Sequence, residues 1–307
     1  FNAYLSNSNI VGKKDSTYTS DTQIDGKSIF MIDTTIPLIK YNDESLETIT
    51  PRISFRVNPG NNMNDFSASG RGIGMSNVFL LDRLAIGDYE AGKSLTLGLG
   101  YKFDKFENSI DNKTEDDNVK DKFIEFNIAT VVRDQAETEI PASSTINRKN
   151  SNIFGSVSNR LFENINLNYD FSLDNDMKTI NSNTIGAEIS INNFVTKFDF
   201  VESRNELGDT NVISNTTEYQ INDNTMLQFS TRRNKKINLT EYYNLSYEYK
   251  NDCLTAALKF NKTFYRDNDL VPTEDLFFTI TLIPLTTYER DIYKKSPGIS
   301  GLRSWFR

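Results

Sequence analysis

The end of the chain alternates apolar and polar residues with a period of two. The apolar positions are Leu254, Ala256, Leu258, Phe260 and Phe264, and the polar ones between them are Thr255, Lys259, Asn261 and Thr263. A similar run, residues 276–283, follows a polar loop. Successive side chains of a strand point to opposite faces, so each run predicts a strand with one apolar and one polar face. Such strands are typical of a membrane β-barrel, with lipid outside and water inside.

Alternation and turn residues predict about fourteen strands along the chain. They lie near residues 1–10, 27–40, 46–57, 94–106, 121–133, 150–160, 163–173, 180–191, 194–203, 211–221, 224–234, 239–250, 253–265 and 275–284. Most exceed the roughly 5–6 residues usual in soluble proteins and approach the roughly 9–11 that cross a bilayer. We therefore predict an all-β, antiparallel, up-and-down transmembrane β-barrel over residues 1–284 and a basic periplasmic tail over residues 285–307.

Charged residues recur at the polar positions of these strands. Those predicted to face the lumen are Arg52, Arg56, Lys102, Glu125, Glu188, Lys197 and Lys259. An Arg or Lys side chain on the lipid face would destabilise the barrel by about 2–4 kcal/mol at mid-depth, so these charged side chains are expected to point into the lumen. Facing inward does not by itself indicate a function for any of them.

The connections between strands alternate in length. Short turns at 192–193, 222–224 and 251–252 are separated by longer links. Barrels place short turns on the periplasmic side, which predicts a periplasmic C-terminus. The long acidic connection 104–121 breaks this alternation, either as an insertion or because the strand count slips there. In the loop 58–92, the stretch 77–84 is too apolar for a solvated tip and is predicted to fold onto the protein, with Asp82 and Arg83 as a structural ion pair.

Composition narrows the function classes. No apolar run approaches the roughly 18–20 residues of a spanning helix, so entry into a membrane requires a closed sheet. The net charge of −8 argues against nucleic acid as a partner. The chain has no His and one Cys, which removes Ser-His and Cys-His catalysis. The acidic run 111–117 lacks calcium-loop spacing. We predict no enzyme activity, no catalytic residue, no cofactor and no metal site.

Two segments carry a resemblance to a known family. Residues 77–84, followed by Gly87-Asp88 and residues 92–99, and the hairpin formed by 252–264 and 277–282, resemble the LptD lipopolysaccharide-assembly proteins of the outer membrane, in versions from α-proteobacteria. The resemblance implies part of a larger barrel of roughly 26 strands, at the upper end of the usual range. A periplasmic jellyroll domain would precede it. It implies insertion of lipopolysaccharide into the outer leaflet of a Gram-negative outer membrane through a lumen and a lateral seam.

The resemblance also assigns roles to residues and partners. It places the lateral seam at the last predicted strand, at Leu276, Phe278, Ile280, Leu282 and Pro284, and a structured loop at Asn77, Asp82 and Arg83. Cys253 would form a disulfide with the N-terminal domain, although a buried free thiol is the alternative. The implied partners are lipopolysaccharide, outer-membrane lipid, a plug lipoprotein of the LptE type and the periplasmic Lpt bridge.

Other functions fit the same strands. In a porin-like or fatty-acid-type channel, fourteen strands would form the whole barrel. A barrel enzyme is disfavoured because His is absent. A soluble β-sandwich would have no reason for strands of this length.

Overall fold

The chain folds into strands joined by turns and loops in a computed structural model that describes residues 1–10, 23–60, 72–84, 89–106, 122–205, 208–264, 273–282 and 286–295. Within these ranges there are sixteen strands and one short 3-10 turn, Ala142–Ser144. The strands are β1 Asn2–Ile10, β2 Gln23–Thr35, β3 Leu38–Asn42, β4 Ser45–Asn58, β5 Gly92–Lys105, β6 Lys122–Arg133, β7 Asn150–Phe162, β8 Ile165–Leu173, β9 Ile180–Ile191, β10 Phe194–Asn205, β11 Gly208–Asn222, β12 Thr225–Asn234, β13 Leu239–Lys250, β14 Leu254–Thr263, β15 Glu274–Leu282 and β16 Thr286–Lys295.

The topology is an antiparallel up-and-down sheet. The strand order is β1-β2-β4-β5-β6-β7-β8-β9-β10-β11-β12-β13-β14-β15-β16, and β3 pairs β4 beside this path. This confirms the predicted all-β, up-and-down fold class. Among the described residues, no helix is both long and apolar enough to cross a membrane.

Residues 27–40, predicted as one strand, contain a break. β2 ends at Thr35 and β3 begins at Leu38, with Pro37 between them. Proline has no backbone N–H to donate to the neighbouring strand. Both strands nevertheless pair with β4. Thr35 of β2 aligns with Arg52, and Leu38 of β3 aligns with Ile49.

The prediction of a tail beginning at residue 285 was wrong for residues 286–295. These residues form β16, which pairs with β15 from Leu282↔Thr286 to Glu274↔Lys295. β15 also pairs with β14 on its other side, so residues 276–282 are not the last strand. The sequence TTYERDIYKK has few apolar positions and many charges, which hid its alternation. Pro284 and residues 296–307 lie outside the described residues.

The two faces of the strands are inverted relative to a soluble sheet. On β4, Ser54 and Arg56 are each 3% exposed, whereas Phe55 between them is 44% exposed. On β5, Ser94 and Thr96 are each 3% exposed, whereas Leu97 is 40% exposed. At these positions of β4 and β5 the polar face is covered and the apolar face is open, in the alternation that the sequence predicts.

The chain divides into two compact units. The first comprises residues 1–163, 168–183 and 203–209, and the second residues 164–167, 184–202 and 210–307. In the first unit, the buried hydrophobic cluster includes residues of the connections 72–84 and 134–149 packed against β6 and β7. In the second unit, aromatic rings pack across strands, with centroid separations of 6.2 Å for Phe229–Tyr243 and 5.8 Å for Tyr243–Phe264.

Candidate functional site

The connection between β4 and β5 folds back onto the polar face of the first unit. Its described parts, residues 72–84 and 89–91, are called here the inner loop. The loop residues Ile73, Val78, Phe79 and Leu84 form one buried cluster with Ala129, Val131, Ile140, Ile146 and Phe154. This apolar packing explains why the stretch 77–84 is hydrophobic although it connects two strands.

Phe79 lies directly over a glycine of the sheet. A Cβ placed on Gly98 would lie 2.5 Å from Cζ of Phe79, a distance that real Cβ atoms do not show. The guanidinium carbon of Arg52 lies 4.0 Å from the centroid of the same ring, a cation–π contact. Arg52 and Gly98 are cross-strand partners of β4 and β5. The small residue in β5 thus makes room for the loop on the polar face.

Asn77 organises the first turn of the inner loop. Its Oδ1 accepts a hydrogen bond from the Gly74 N–H at 2.9 Å, and its Nδ2 donates to the carbonyls of Gly72 at 2.9 Å and Arg83 at 3.1 Å. A single buried amide therefore ties both ends of a short segment together. Asn77 is 2% exposed, so these bonds also satisfy its otherwise unpaired polar atoms.

Arg83 fixes the loop to β5. Its Nη1 donates to the carbonyl of Val78 at 3.3 Å and to Oγ1 of Thr96 at 3.2 Å, and its Nη2 donates to Oγ of Ser94 at 3.2 Å. The side chain is buried and forms an ion pair with Glu90. The sequence predicted an ion pair between Asp82 and Arg83. In the structure, the carboxylate paired with Arg83 is that of Glu90, seven residues further along the loop.

Glu90 is the centre of a buried charge cluster. Its Oε1 lies 2.8 Å from Nη1 of Arg56 and 3.9 Å from Nη1 of Arg133, in addition to the pair with Arg83. Burial by itself would raise the pKa of Glu90, but the three guanidinium groups outweigh it and lower the pKa from 4.5 to about 2. The carboxylate is therefore charged throughout the physiological range and offsets part of the buried positive charge.

The backbone around Glu90 is held by the same strands. Nδ2 of Asn58 donates to the Glu90 carbonyl at 3.1 Å. Arg133 donates to the carbonyl of Ala91, and Arg56 to that of Leu80. Charge and hydrogen bonds from β4 and β6 thus converge on one end of the inner loop. The role of Glu90 is not evident from the sequence, because strand register brings its three partners together and only Arg83 is near it in sequence.

Beside the inner loop lies an open trough with a volume of about 450 Å³. Its lining residues are Thr35, Thr50, Arg52, Met75, Ser76, Phe79, Gly98, Leu99, Gly100, Asn127, Ile128, Ser156, Ser158 and Asp170. Arg52 is paired with Asp33, because its Nε donates to Oδ1 of that carboxylate at 3.0 Å. The trough is therefore lined by both polar and apolar residues, and the charge of its Arg52 is neutralised by Asp33 of β2.

The other predicted lumen residues lie in separate places. In the first unit, Lys102 pairs with Asp104 at 2.7 Å, and Glu125 accepts a hydrogen bond from Asn127 at 2.8 Å. In the second unit, Glu188 pairs with Lys197 at 3.3 Å. Lys259 is exposed and aligned with Ser246 of β13. Of the seven predicted residues, Arg52 and Arg56 are the ones that contact the inner loop.

The predicted seam residues share the apolar face of β15. Leu276, Phe278, Ile280 and Leu282 align with Phe260, Leu258, Ala256 and Leu254 of β14. Because β16 follows, they lie within the described sheet and not at its end. Cys253 is a free, exposed thiol at the turn before β14, so the alternative of a buried thiol was wrong.

Within the described ranges, no group of three or more His, Cys, Asp or Glu side chains could hold a metal ion. The acidic run 111–117 lies outside those ranges.

Comparison with known proteins adds little to this geometry. No family model matches the chain, and no curated protein matches it. Among solved structures it is similar to a triple mutant of the porin of Rhodopseudomonas blastica, with 10% identity and a TM-score of 0.32 over 94% of this chain and 97% of that chain. A similarity this low carries no argument about function.

Proposed function

We propose that this chain forms part of the wall of an outer-membrane β-barrel and provides a polar path across the membrane. The observation that carries the proposal is the inverted polarity of the strands. Leu97 and Leu99 of β5 are 40% and 46% exposed, while Ser94 and Thr96 on the other face are buried. Leaving an apolar side chain in water instead of burying it costs about 1.5–3 kcal/mol. Lipid against the open face removes this cost, and the covered polar face then borders the passage.

The second unit supports the same proposal by its own geometry. On β13, Leu245 and Tyr247 are 42% and 47% exposed, and on β14 Leu258 is 41% exposed. The register pairs Tyr247 with Leu258, and Leu245 with Phe260. Apolar side chains thus form a continuous open face across neighbouring strands, as a lipid-facing wall requires.

Two cargoes fit such a wall. The geometry itself supports small polar solutes most directly, in a porin-like passage, because the covered face of β4 and β5 carries polar side chains such as Ser54, Ser94 and Thr96. Lipopolysaccharide is the second candidate, with a plug lipoprotein and a periplasmic bridge as partners. It is favoured by one observation: Asn77 and Arg83, which carry part of the LptD resemblance, are the residues that hold the inner loop together.

Reconstitution of the full chain tests the proposal and separates the cargoes. In planar bilayers, the folded chain is expected to produce discrete conductance steps in potassium chloride, whereas heat-denatured chain produces none. Movement of labelled lipopolysaccharide between vesicle leaflets without conductance would support the second cargo. The proposal fails if the folded chain remains in the aqueous phase and does not associate with vesicles.

A further inference from the structure

Positive charge is concentrated where β12 turns into β13, in residues 232–238, called here the basic turn. Its four basic residues are all exposed: Arg232, Arg233, Lys235 and Lys236. Arg232 is neutralised by Glu241, whose Oε2 lies 2.8 Å from the Arg232 Nε. The chain as a whole has a net charge of −8. The basic turn is therefore a local exception in the charge distribution, and a patch of this sign attracts anions.

Arg233 lies at the end of the apolar face of β12. It is separated by even numbers of residues from Leu227 and Phe229, and side chains at such spacings share one face of a strand. Its cross-strand partner on β11 is Ile213, which is 38% exposed. A basic side chain that faces lipid destabilises a barrel at mid-depth but has little effect near the membrane surface. The basic turn is therefore expected at the level of the lipid headgroups.

The contacts of Arg233 and Lys235 leave their charges uncompensated. Nη2 of Arg233 donates to Oδ1 of Asn238, a neutral amide. Nζ of Lys235 lies 5.3 Å from the centroid of the Phe200 ring, a cation–π contact. A guanidinium has five N–H donors and an ammonium has three, so both groups keep donors for a ligand.

Hydrogen bonds fix the shape of the basic turn. Oδ1 of Asn234 accepts from the backbone N–H of Lys236 at 3.1 Å and from that of Ile237 at 3.4 Å. The Lys235 N–H donates to the carbonyl of Asn211 on β11 at 2.7 Å. The basic side chains therefore project from an ordered backbone, next to an apolar side chain, Ile237, that is 60% exposed.

An aromatic group lies beside the basic turn on the neighbouring strand. Tyr243 of β13 is 39% exposed and aligns with Thr231, two residues before Arg233. Its ring packs against those of Phe229 and Phe264. Barrels carry girdles of aromatic residues where the wall meets the membrane surface. The aromatic group and the end of the apolar face thus indicate the same depth for the basic turn.

We infer that the basic turn binds the phosphate groups of anionic lipid headgroups through Arg233 and Lys235. Guanidinium and ammonium groups both bind phosphate by charge-assisted hydrogen bonds. Because Arg233 continues the apolar face of its strand, the ligand is a membrane lipid and not a solute of the polar path. Each of the two side chains can hold a headgroup of its own. The inference rests on the proposed function in that the apolar face must meet lipid.

The test is fluorescence quenching by brominated lipids in the full chain, reconstituted into bilayers of phosphatidylcholine and phosphatidylglycerol. The chain has one Trp, so I237W in a W305F background gives a single reporter at the basic turn. Brominating one lipid at a time, near the headgroup end of its acyl chain, yields the ratio of local binding constants for the anionic and the zwitterionic lipid. We expect a ratio of at least about five, which one basic residue near an anionic surface provides, and a ratio close to one in R233Q/K235Q.

The matched control is K250Q/K259Q in the same reporter background. It also removes two exposed cations, but from the polar face, because Lys259 aligns with Ser246 and Lys250 is four residues further along β13. We expect this variant to keep the ratio of the chain with all its basic residues. An equal fall in both double variants would reduce the effect to net charge and overturn the inference.

A second reporter separates this inference from the proposed function. Leu258 is 41% exposed on the apolar face of β14, so L258W in the W305F background is expected to be quenched by brominated phosphatidylcholine. Quenching at position 258 together with a ratio near one at position 237 would overturn the inference and leave the proposed wall standing. Absence of quenching at position 258 would contradict the wall, and the inference with it.

Discussion

At the scale of single residues, Glu90 determines how the inner loop is held. It is one carboxylate among three buried guanidinium groups, from Arg56, Arg83 and Arg133. Burying an ionic cluster contributes little net stability by itself, but removing one partner leaves uncompensated charge in a poorly solvated place. Loss of the Glu90 charge is therefore expected to destabilise the fold, because no other acidic side chain among the described residues is paired with all three guanidinium groups.

Replacing Glu90 by Gln tests this role. The change keeps the side-chain size but removes the charge, and breaking a buried pair in this way usually costs about 3–5 kcal/mol. We expect the free energy of unfolding in micelles, measured by guanidinium denaturation, to fall by an amount in that range. E47Q is the control, since Glu47 pairs with Lys40 at the surface and should leave the denaturation midpoint almost unchanged. Equal midpoints for E90Q and the unmodified chain would contradict the role.

The depressed pKa of Glu90 also predicts a pH dependence. Since the folded-state pKa is about 2 and the ordinary value is 4.5, the charge stabilises the fold fully above pH 4.5. That contribution is lost as the pH falls from 4.5 towards 2. We expect hydrogen exchange in residues 72–84, corrected for the intrinsic rate, to accelerate in this window, and E90Q to lack the step. An acid step of the same size in E90Q would assign it to other groups.

The residues of this site were only partly predictable. The inward direction of Arg52 and Arg56 could be predicted, because strand alternation gives the face on which a side chain lies. The folded loop that contains Asn77 and Arg83 could be predicted from its apolar stretch. The role of Glu90 could not be predicted, because its partners Arg56 and Arg133 belong to different strands, and the sequence does not reveal how those strands align.

At the scale of elements, the inner loop is shaped by a glycine of the sheet. Phe79 occupies the space above Gly98, so β5 is a binding surface for its own preceding connection. Sequence patterns predicted the strands to within a few residues at most ends. They missed β16, since its charged residues obscure the period-two signal that identifies a lipid-facing strand.

A larger side chain at Gly98 should release the loop. G98V places side-chain atoms where the Phe79 ring lies, and overpacking of this kind usually costs about 1–3 kcal/mol. We expect trypsin to cleave at Arg83 faster in G98V than in the unmodified chain, followed by mass spectrometry. G186V is the matched control, because the nearest atom to a Cβ at Gly186 is an ordinary 3.6 Å away. Unchanged protection of Arg83 in G98V would contradict the packing account.

At the scale of the molecule, the proposed function depends on the apolar face of the sheet meeting lipid and the polar face meeting water. The fold class was predictable because most strands repeat the same two-residue pattern, so errors at single ends, or one missed strand, do not change it. The inner loop and the trough were not, because they depend on contacts between residues far apart in sequence. The proposed membrane location and polar passage both rest on the same inverted faces.

The most direct test of the central claim measures both faces of one strand. In a C253S background, a spin label is attached at each position from 254 to 260 of β14, in the chain reconstituted into lipid vesicles. We predict high accessibility to oxygen at Leu254, Ala256, Leu258 and Phe260, and higher accessibility to a water-soluble nickel complex at Thr255 and Lys259 than at these four positions, whereas Ala257 is 4% exposed and is not informative. Apolar positions that are shielded from both reagents, or equally accessible to the nickel complex, would contradict a lipid-facing wall.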